Sequence, residues 1–490
     1  MLKLLAFDYG ATSGRGMIAN FDGEKLHFGD DYRFANRPVF IGKGFYWDFP
    51  ALLQDMKIGI QKLSADGLPG CIGVDTWGVD YGLLDKSGDL LGLPYNYRDA
   101  RTDNSMEDVF KIVSSKELYM ATGIQLMQFN TIFQLHAHLR ERPWMLEQAE
   151  KLLFMPDLLN YYLTGLEATE FSIASTSQML NPNTKTWNNE LLGRLNIPTR
   201  LLGNIVEPGT MLGSLSKTVM KELNVGEIPV ALVAGHDTGS AVVAVPATSE
   251  NYAYLSCGTW SLLGIESRVP IVTEKSYNMN FTNEGGIEGT YRVIKNIMGL
   301  WIQTECLRTF EIEGFAPTYE ELEDIITSAT PFRCFIDPDD QRFLAPGNMP
   351  KKVADYCAET GQYVPQTRDE ILRCVKESLA LKYRYALEGL EMLKGERIDV
   401  LHMVGGGIRS VSTCMFTASA IGRPVIAGPA EGTAIGNFLA QLIAKGEAKD
   451  LAQAREILRR TVDTDEFMPH GIEQWNMAYE KFLKVTGLKN

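Results

Sequence analysis

Asp8-Tyr9-Gly10-Ala11-Thr12-Ser13-Gly14-Arg15 leaves one apolar run and enters another, and about half a chain later Leu255-Ser256-Cys257-Gly258-Thr259-Trp260-Ser261 does the same. Glycine in such a turn permits positive φ and a close approach of backbone N–H groups, while neighbouring Thr and Ser hydroxyls donate to phosphate oxygens. A single turn of this kind is weak evidence. Two at equivalent places predict a duplicated fold gripping one nucleoside triphosphate from both sides. A third glycine run, Gly405-Gly406-Gly407, follows the apolar stretch 400–404 and precedes a helical pattern. No GxxxxGK[ST] sequence and no protein-kinase signature occurs, so ATP binding is expected to rest on these glycine turns, with Ala11, Thr12, Ser13, Gly14, Arg15, Gly258, Thr259, Gly405 and Gly406 as its residues.

The bulk composition agrees with an α/β chain of two halves. At 490 residues it exceeds what one hydrophobic core usually serves. The division is expected near 246–250, giving domains 1–246 and 247–490, with the site in the cleft between them and a polar helical tail from about 450. Hydrophobic residues make up 45% and charged residues 22%, and the net charge of −14 disfavours nucleic acid or an anionic membrane as partner. Seven cysteines without a CxxC pair read as the usage of a reducing compartment. The six histidines offer only His136-Ala137-His138 as a near pair, so a His/Cys metal site is not expected from spacing. The opening Met1-Leu2-Lys3-Leu4-Leu5-Ala6-Phe7 is too short for a secretion signal, and no run nears the roughly 18 apolar residues of a membrane span. A cytoplasmic location is expected.

Local patterns predict strands over 4–8, 16–21 and 26–34, the last after the Asp22-Gly23 hairpin signal, then a helix over 51–63 and a strand over 71–75. Three antiparallel strands, a helix and a further strand open the ribonuclease-H-like unit of actin-type ATPases, by analogy of fold. Residues 105–200 read as mostly helical, and 228–234 as a strand running into Gly235-His236-Asp237-Thr238-Gly239. A second unit starts at 252–255 and resumes at 261–265. A long helix over 370–393, strands over 400–404 and 425–427 and a helix start at 431–437 complete the pattern.

Several of these positions carry chemistry. Asp237 follows a strand and a glycine, which puts a carboxylate at a sheet rim where it can accept a sugar hydroxyl proton during phosphoryl transfer. The alternative is a helix N-cap, a place Asp favours. Asp8, at the end of a buried strand beside a phosphate turn, suits water-mediated binding of Mg²⁺, or else it is a turn residue accepting backbone N–H bonds. In Asp75-Thr76-Trp77-Gly78-Val79-Asp80-Tyr81 the Trp77 indole can cover the apolar face of a sugar while Gly78 admits hydroxyls to the backbone. Core packing is the other reading of Trp77. Tyr97-Arg98-Asp99 fits either a hydroxyl-steering role or an ion pair.

Across nearly its whole length the chain resembles the FGGY family of carbohydrate kinases. The matching blocks are Asp75-Thr76-Trp77-Gly78-Val79-Asp80, Gly92-Leu93-Pro94-Tyr95 with Tyr97-Arg98-Asp99, Met155-Pro156-Asp157, His236-Asp237-Thr238, Ser256-Cys257-Gly258-Thr259-Trp260-Ser261, Thr282-Asn283-Glu284-Gly285-Gly286 and Lys295-Asn296-Ile297-Met298-Gly299-Leu300-Trp301. The resemblance implies two ribonuclease-H-like domains with an interdomain cleft, and ATP with Mg²⁺ as cosubstrate and metal. It also implies transfer to the 1-hydroxyl of L-rhamnulose or a related ketose. Other sugar kinases of the family, taking L-fuculose or D-xylulose, are the near alternatives, and a non-sugar ATPase of the actin superfamily is the distant one. By the same resemblance residues 11–15 and Thr259 surround the phosphates, Gly406 lies near the adenosine, Gly78, His236, Thr238 and Asn296 hold the sugar, and Asp237 is the base. Two positions depart from the family pattern: Gly235 stands where Ser is common, and Thr304, beside Gln303, stands where a nucleotide-side Gln is expected.

Overall fold

Leu4, Leu5, Ala6 and Phe7 are fully buried on both faces of the first strand, β1 (Leu2–Tyr9), which is why it reads as a continuous apolar run and not an alternating one. The computed structural model describes residues 1–489. The chain packs as two units. One comprises Met1–Ala244, Glu266–Val293 and Gly432–Thr461, the other Val245–Ile265, Ile294–Glu431 and Val462–Asn490.

In the first unit β1 pairs antiparallel with β2 (Ser13–Phe21), which pairs with β3 (Leu26–Ala35). On its other side β1 runs parallel to β4 (Cys71–Thr76), and β5 (Thr210–Ser214) and β6 (Pro229–Leu232) extend the sheet in the order β5-β6-β4-β1-β2-β3. The helix Phe49–Leu63 starts where Asp48 accepts the N–H of Ala51 at 3.3 Å and Pro50 occupies the first turn. It buries Phe49, Leu52, Met56, Ile60 and Leu63, spaced three or four apart, in the same core as Phe7 and Val74.

The late helix Gly432–Lys445 belongs to this first unit. Gln441 donates to the carbonyl of Leu5 at 3.0 Å, and a Cβ on Gly73 of β4 would sit 2.3 Å from Asn437 Oδ1, so glycine there makes room for the helix. The helix also packs on the helix Asp237–Val243. At the crossing a Cβ on Gly436 would lie 1.7 Å from the carbonyl oxygen of Ser240.

The second sheet follows a similar plan. Its strands are β7 (Tyr252–Cys257), β8 (Trp260–Ser267), β9 (Tyr291–Met298), β10 (Val400–Val404), β11 (Val425–Ala427) and β12 (Asp465–Phe467), ordered β12-β11-β10-β7-β8-β9, with a seventh strand, Thr282–Gly285, at the edge beyond β9. Both sheets lead from an antiparallel hairpin through two parallel pairings to an antiparallel edge. A 27-residue helix, Arg368–Lys394, is capped by Thr367 at its start and ends at Gly395 in the left-handed region.

The expected polar helical tail is corrected. Residues beyond 450 form two helices, Leu451–Thr461 and Ile472–Thr486, with β12 between them, and Trp475, Tyr479 and Phe482 are buried. Asp465 and Glu466 on β12 are exposed, so this three-residue edge strand shows none of the apolar alternation that announces a strand.

Candidate active site

The parallel register sets Asp8 of β1 beside Asp75 of β4, both at strand ends. Arg15, opposite Asp8 on β2, donates to Asp8 Oδ2 through NH2 at 2.9 Å and Nε at 3.2 Å. The turn between them is closed by Gly10 N–H on the carbonyl of Ser13 at 2.8 Å and steadied by Asn36, whose side-chain amide donates to the carbonyl of Gly10 and whose backbone N–H donates to that of Thr12. Ala11 is half-buried, and Thr12 and Ser13 are exposed. Gly14 is buried, and a Cβ there would meet the Phe34 ring at 2.3 Å.

Asp75 is a second acidic residue at this strand end. It is fully buried, its Oδ2 accepts the amide of Asn437 at 2.6 Å, and its Oδ1 has no partner among the described residues. Burial raises its pKa well above the ordinary range, with the charges of Asp8 and Asp237 adding to the rise. A divalent cation in this place would offset the neighbouring negative charges and favour the ionised carboxylate, so these oxygen ligands fit Mg²⁺.

Thr76 N–H donates to the carbonyl of Gly235 at 2.9 Å, which brings the Gly235-His236-Asp237-Thr238 turn to the end of β4. Gly235 N–H is received by Glu170 Oε2 at 2.9 Å, and a Cβ at 235 would stand 2.9 Å from that same oxygen. The N-cap of the following helix is His236, not Asp237, so the capping alternative for Asp237 is set aside. The contacts of Asp237 among the described residues fall on Oδ1, from Thr238 N–H at 2.6 Å, Thr238 Oγ1 at 3.2 Å and His236 Nε2 at 3.3 Å. Oδ2 receives none of these contacts, on a side chain 31% exposed.

His236 Nδ1 lies 3.0 Å from Glu284 Oε2, and the fully buried Arg292 lies 3.2 Å from that oxygen. Burial works against the Glu284 charge, but His236 and Arg292 outweigh it and hold the carboxyl below its ordinary range. Glu284 and Arg292 were not singled out from sequence, although Glu284 lies inside a quoted block. Gly78 faces this cluster: a Cβ there would be 3.4 Å from His236 Nε2.

Trp77 is not set out to stack on a ligand. It is 5% exposed, its ring centroid is 3.9 Å from that of Trp47, and its indole N–H goes to Asp80 Oδ2 at 3.0 Å. The core-packing reading describes its side chain.

In the second unit three glycine segments meet. Gly258 N–H closes its turn on the carbonyl of Trp260 at 2.9 Å, while the carbonyls of Gly258 and Thr259 receive the N–H groups of Leu300 and Trp301. Gly405 takes φ +90°, with its would-be Cβ 3.0 Å from the carbonyl of Cys257, and Gly406 faces open space. Asn296 sits on β9, before this junction. Thr304 is exposed on the helix Trp301–Ile312 and spends its hydroxyl on the carbonyl of Leu300 at 3.0 Å, whereas Gln303 keeps a buried Oε1 without a partner.

Glycine turns in duplicate, with a carboxylate poised beside one of them, are the parts of a phosphotransferase. Residues 3–245 match the N-terminal domain of the FGGY family of carbohydrate kinases and residues 253–445 its C-terminal domain; the chain belongs to that family. Among its relatives, the rhamnulokinase of Bacteroides thetaiotaomicron is 45% identical over 481 residues, covering 98% of each chain. The rhamnulokinase of Pectobacterium atrosepticum is 41% identical over 99% of this chain and 96% of its own, and that of Bacillus subtilis 38% over 96% of each. Of solved structures, ligand-bound xylulose kinase from Lactobacillus acidophilus aligns with a TM-score of 0.84 at 16% identity over 99% of this chain and 98% of its own. Plasmodium falciparum glycerol kinase with ADP aligns with 0.82 at 15% identity over 100% and 99%. These two speak for the fold, a two-domain mixed α/β sugar-kinase architecture. No helix among the described residues is long and apolar enough to cross a membrane.

Proposed function

We propose that this chain transfers the γ-phosphoryl group of ATP to the 1-hydroxyl of L-rhamnulose. The observation that carries the chemistry is the carboxylate of Asp237, with Oδ1 pinned by Thr238 and Oδ2 open. The rhamnulokinase relatives, which match at up to 45% identity over 98% of the chain, support the choice of sugar.

Asp237 takes the proton of the attacking hydroxyl as the O–P bond forms. His236, fixed by Glu284, and Thr238, Gly78 and Asn296 orient the sugar through hydrogen bonds. The turn at residues 11–15 and Gly258 with Thr259 bind the phosphates, and Gly405, Gly406 and the Gln303 and Thr304 pair serve the nucleoside. Asp8 and Asp75 would hold Mg²⁺, which when bound offsets phosphate charge. Trp77 supports the sugar site from the core through Asp80. The family matches at 3–245 and 253–445 support a division of the sequence into 1–246 and 247–490, although in packing 266–293 and 432–461 go with the first unit. Seven free cysteines support a cytoplasmic place of work.

A coupled assay of ADP release over a panel of ketoses tests this reading. L-rhamnulose should give a higher kcat/KM than L-fuculose, D-xylulose or glycerol. Turnover independent of sugar would instead mark an ATPase, and a preference for another ketose would move the chain elsewhere within the family.

A further inference from the structure

A buried carboxylate grips the turn that carries Asp237. Glu170 ends the two-residue strand Thr169–Glu170, caps the helix Phe171–Ser175 and is 1% exposed. Its Oε1 accepts the N–H of Ser172 at 2.7 Å. Its Oε2 accepts three donors: Ser172 Oγ at 2.7 Å, Ile173 N–H at 3.1 Å and, 65 residues away in sequence, Gly235 N–H at 2.9 Å. Ser172 Oγ in turn accepts the N–H of His236 at 3.3 Å. The two consecutive N–H groups just ahead of Asp237 are thus held by one carboxylate, directly and through one hydroxyl.

The surroundings leave this turn little freedom. The carbonyl of Gly235 accepts Thr76 N–H at 2.9 Å, so both backbone polar groups of this residue are fixed. A side chain at 235 has no room, because a Cβ would stand 2.9 Å from Glu170 Oε2 and 3.1 Å from Pro156. The same short helix also reaches the strand that carries Glu284: Ser175 Oγ accepts the N–H of Gly285 at 2.7 Å and donates to the carbonyl of Ser172 at 2.7 Å. Behind Glu170 lies Asp157, also 1% exposed, whose two oxygens share the N–H of Glu170 at 3.3 and 3.4 Å. Burial pushes both carboxyls up. Donors from Ser172, Gly235 and Ile173 oppose this at Glu170, whereas the charge of Glu170 drives Asp157 further, well above the usual range. The pair therefore keeps its proton on Asp157 and its charge on Glu170, where the donors converge.

We propose that Glu170 is a positioning residue for phosphoryl transfer, fixing through Gly235 and Ser172 the backbone from which Asp237 reaches the attacking hydroxyl, a role that rests on Asp237 being the base. Only two residues separate the Gly235 N–H from the Asp237 carboxylate, so a shift of the turn passes to the base nearly undiminished. A misplacement of about 1 Å originating away from the chemistry can cost about 10²-fold in rate. Hydrogen bonds to an ionised acceptor are also about twice as strong as neutral ones, which suits a carboxylate to this hold. A glutamine here would offer one carbonyl oxygen to the same donors and would turn its NH₂ group toward at least one of them.

The test is a double-mutant cycle in the full chain, read as kcat at saturating ATP and L-rhamnulose. Glu170→Gln should lower kcat by about tenfold or more, with the equilibrium affinity for ATP within about twofold of the parent. In the Asp237→Asn background no base is left to position, so the same change should lower kcat by less than about threefold. Ser172→Ala removes the hydroxyl between Glu170 and His236 and should show the same pattern at a smaller size, about threefold in the parent and nearly nothing in Asp237→Asn. It decides the matter if Glu170→Gln does not fold. Parental kcat in the folded variants overturns the proposal. An equal fractional loss in both backgrounds does so too, because it marks a residue that only supports the fold. Near-parental kcat in Asp237→Asn alone would sink the assignment of the base and the positioning role with it, whereas a crippled Asp237→Asn beside an unaffected Glu170→Gln would sink the positioning role only.

Discussion

Asn437 donates its side-chain amide to Asp75 Oδ2 at 2.6 Å across 362 residues of sequence, and Gln441, one turn further along the same helix, donates to Asn437 Oδ1 at 2.8 Å. The amide pair orients a buried carboxylate and partly offsets the desolvation that raises its pKa. Asn437→Ala should therefore cost about 1–3 kcal/mol of unfolding free energy, the usual penalty for stranding a buried polar group. It should also alter the Mg²⁺ dependence of the reaction. Denaturant unfolding together with a Mg²⁺ titration of the rate checks both, and an unchanged Mg²⁺ dependence would detach Asp75 from the metal.

Gly436→Ala should be more damaging than its size suggests. The new Cβ would fall 1.7 Å from the carbonyl oxygen of Ser240, a backbone atom that moves only with its helix. Overpacking of this kind costs about 1–3 kcal/mol or more. Because the displaced helix begins at Asp237, kcat should fall along with thermal stability. Full activity in a destabilised variant would show that the helix start is insulated from the crossing.

Asp237→Asn keeps the shape and loses the proton acceptor. Loss of a general base is typically worth about 10² to 10⁴ in rate. ATP affinity, measured by equilibrium titration, should stay close to that of the parent. A variant with near-parental kcat would remove Asp237 from the role of base.

Asn296→Ala should reduce kcat/KM most on L-rhamnulose and less on other ketoses, narrowing the preference by about 1–3 kcal/mol. Steady-state kinetics on the same panel read this out. Equal losses on every sugar would make Asn296 a scaffold residue of β9.

Asp80 supplies a pH signature. Its Oδ2 receives the indole N–H groups of Trp47 at 2.6 Å and Trp77 at 3.0 Å and the backbone N–H of Tyr97 at 3.1 Å, and its Oδ1 receives Gln134 at 2.8 Å. Burial nevertheless raises its pKa from 3.8 to about 6, against the pull of these donors and of Arg101. Between those values the folded chain holds a proton that the unfolded chain has released. Stability from this group is thus greatest at low pH and falls as pH rises through about 6, by on the order of 3 kcal/mol. The two indole N–H resonances should titrate together near pH 6, while that of Trp301, bonded to the carbonyl of Phe343, should not. Separate midpoints for Trp47 and Trp77 would rule out Asp80 as their common partner.

Much of this architecture was readable from local pattern. The runs that became β1, β10 and β11 were found to within a residue or two, because buried parallel strands are continuous apolar stretches with glycine turns at their ends. The two hairpins and the glycine run at 405–407 were likewise visible. What sequence did not disclose depends on distant contacts. Nothing near Gly432 signals that its helix covers β1 and β4. Glu284 and Arg292 earn their place only by meeting His236, and the Trp77 motif could not say that its ring turns toward Trp47. The short edge strand β12 was hidden by its exposed acidic residues.

The covering of β1 by the helix Gly432–Lys445 also sets an order of events during synthesis. The ribosome makes Gln441, which hydrogen-bonds the carbonyl of Leu5, 436 residues after Leu5 itself. A nascent chain halted before residue 432 carries the whole of β1 to β6 but leaves the face around Gly73 and Leu5 open to water and to other chains. The amino-terminal unit therefore cannot mature vectorially ahead of the rest, and its last step of burial waits for a segment translated after nearly all of its neighbour.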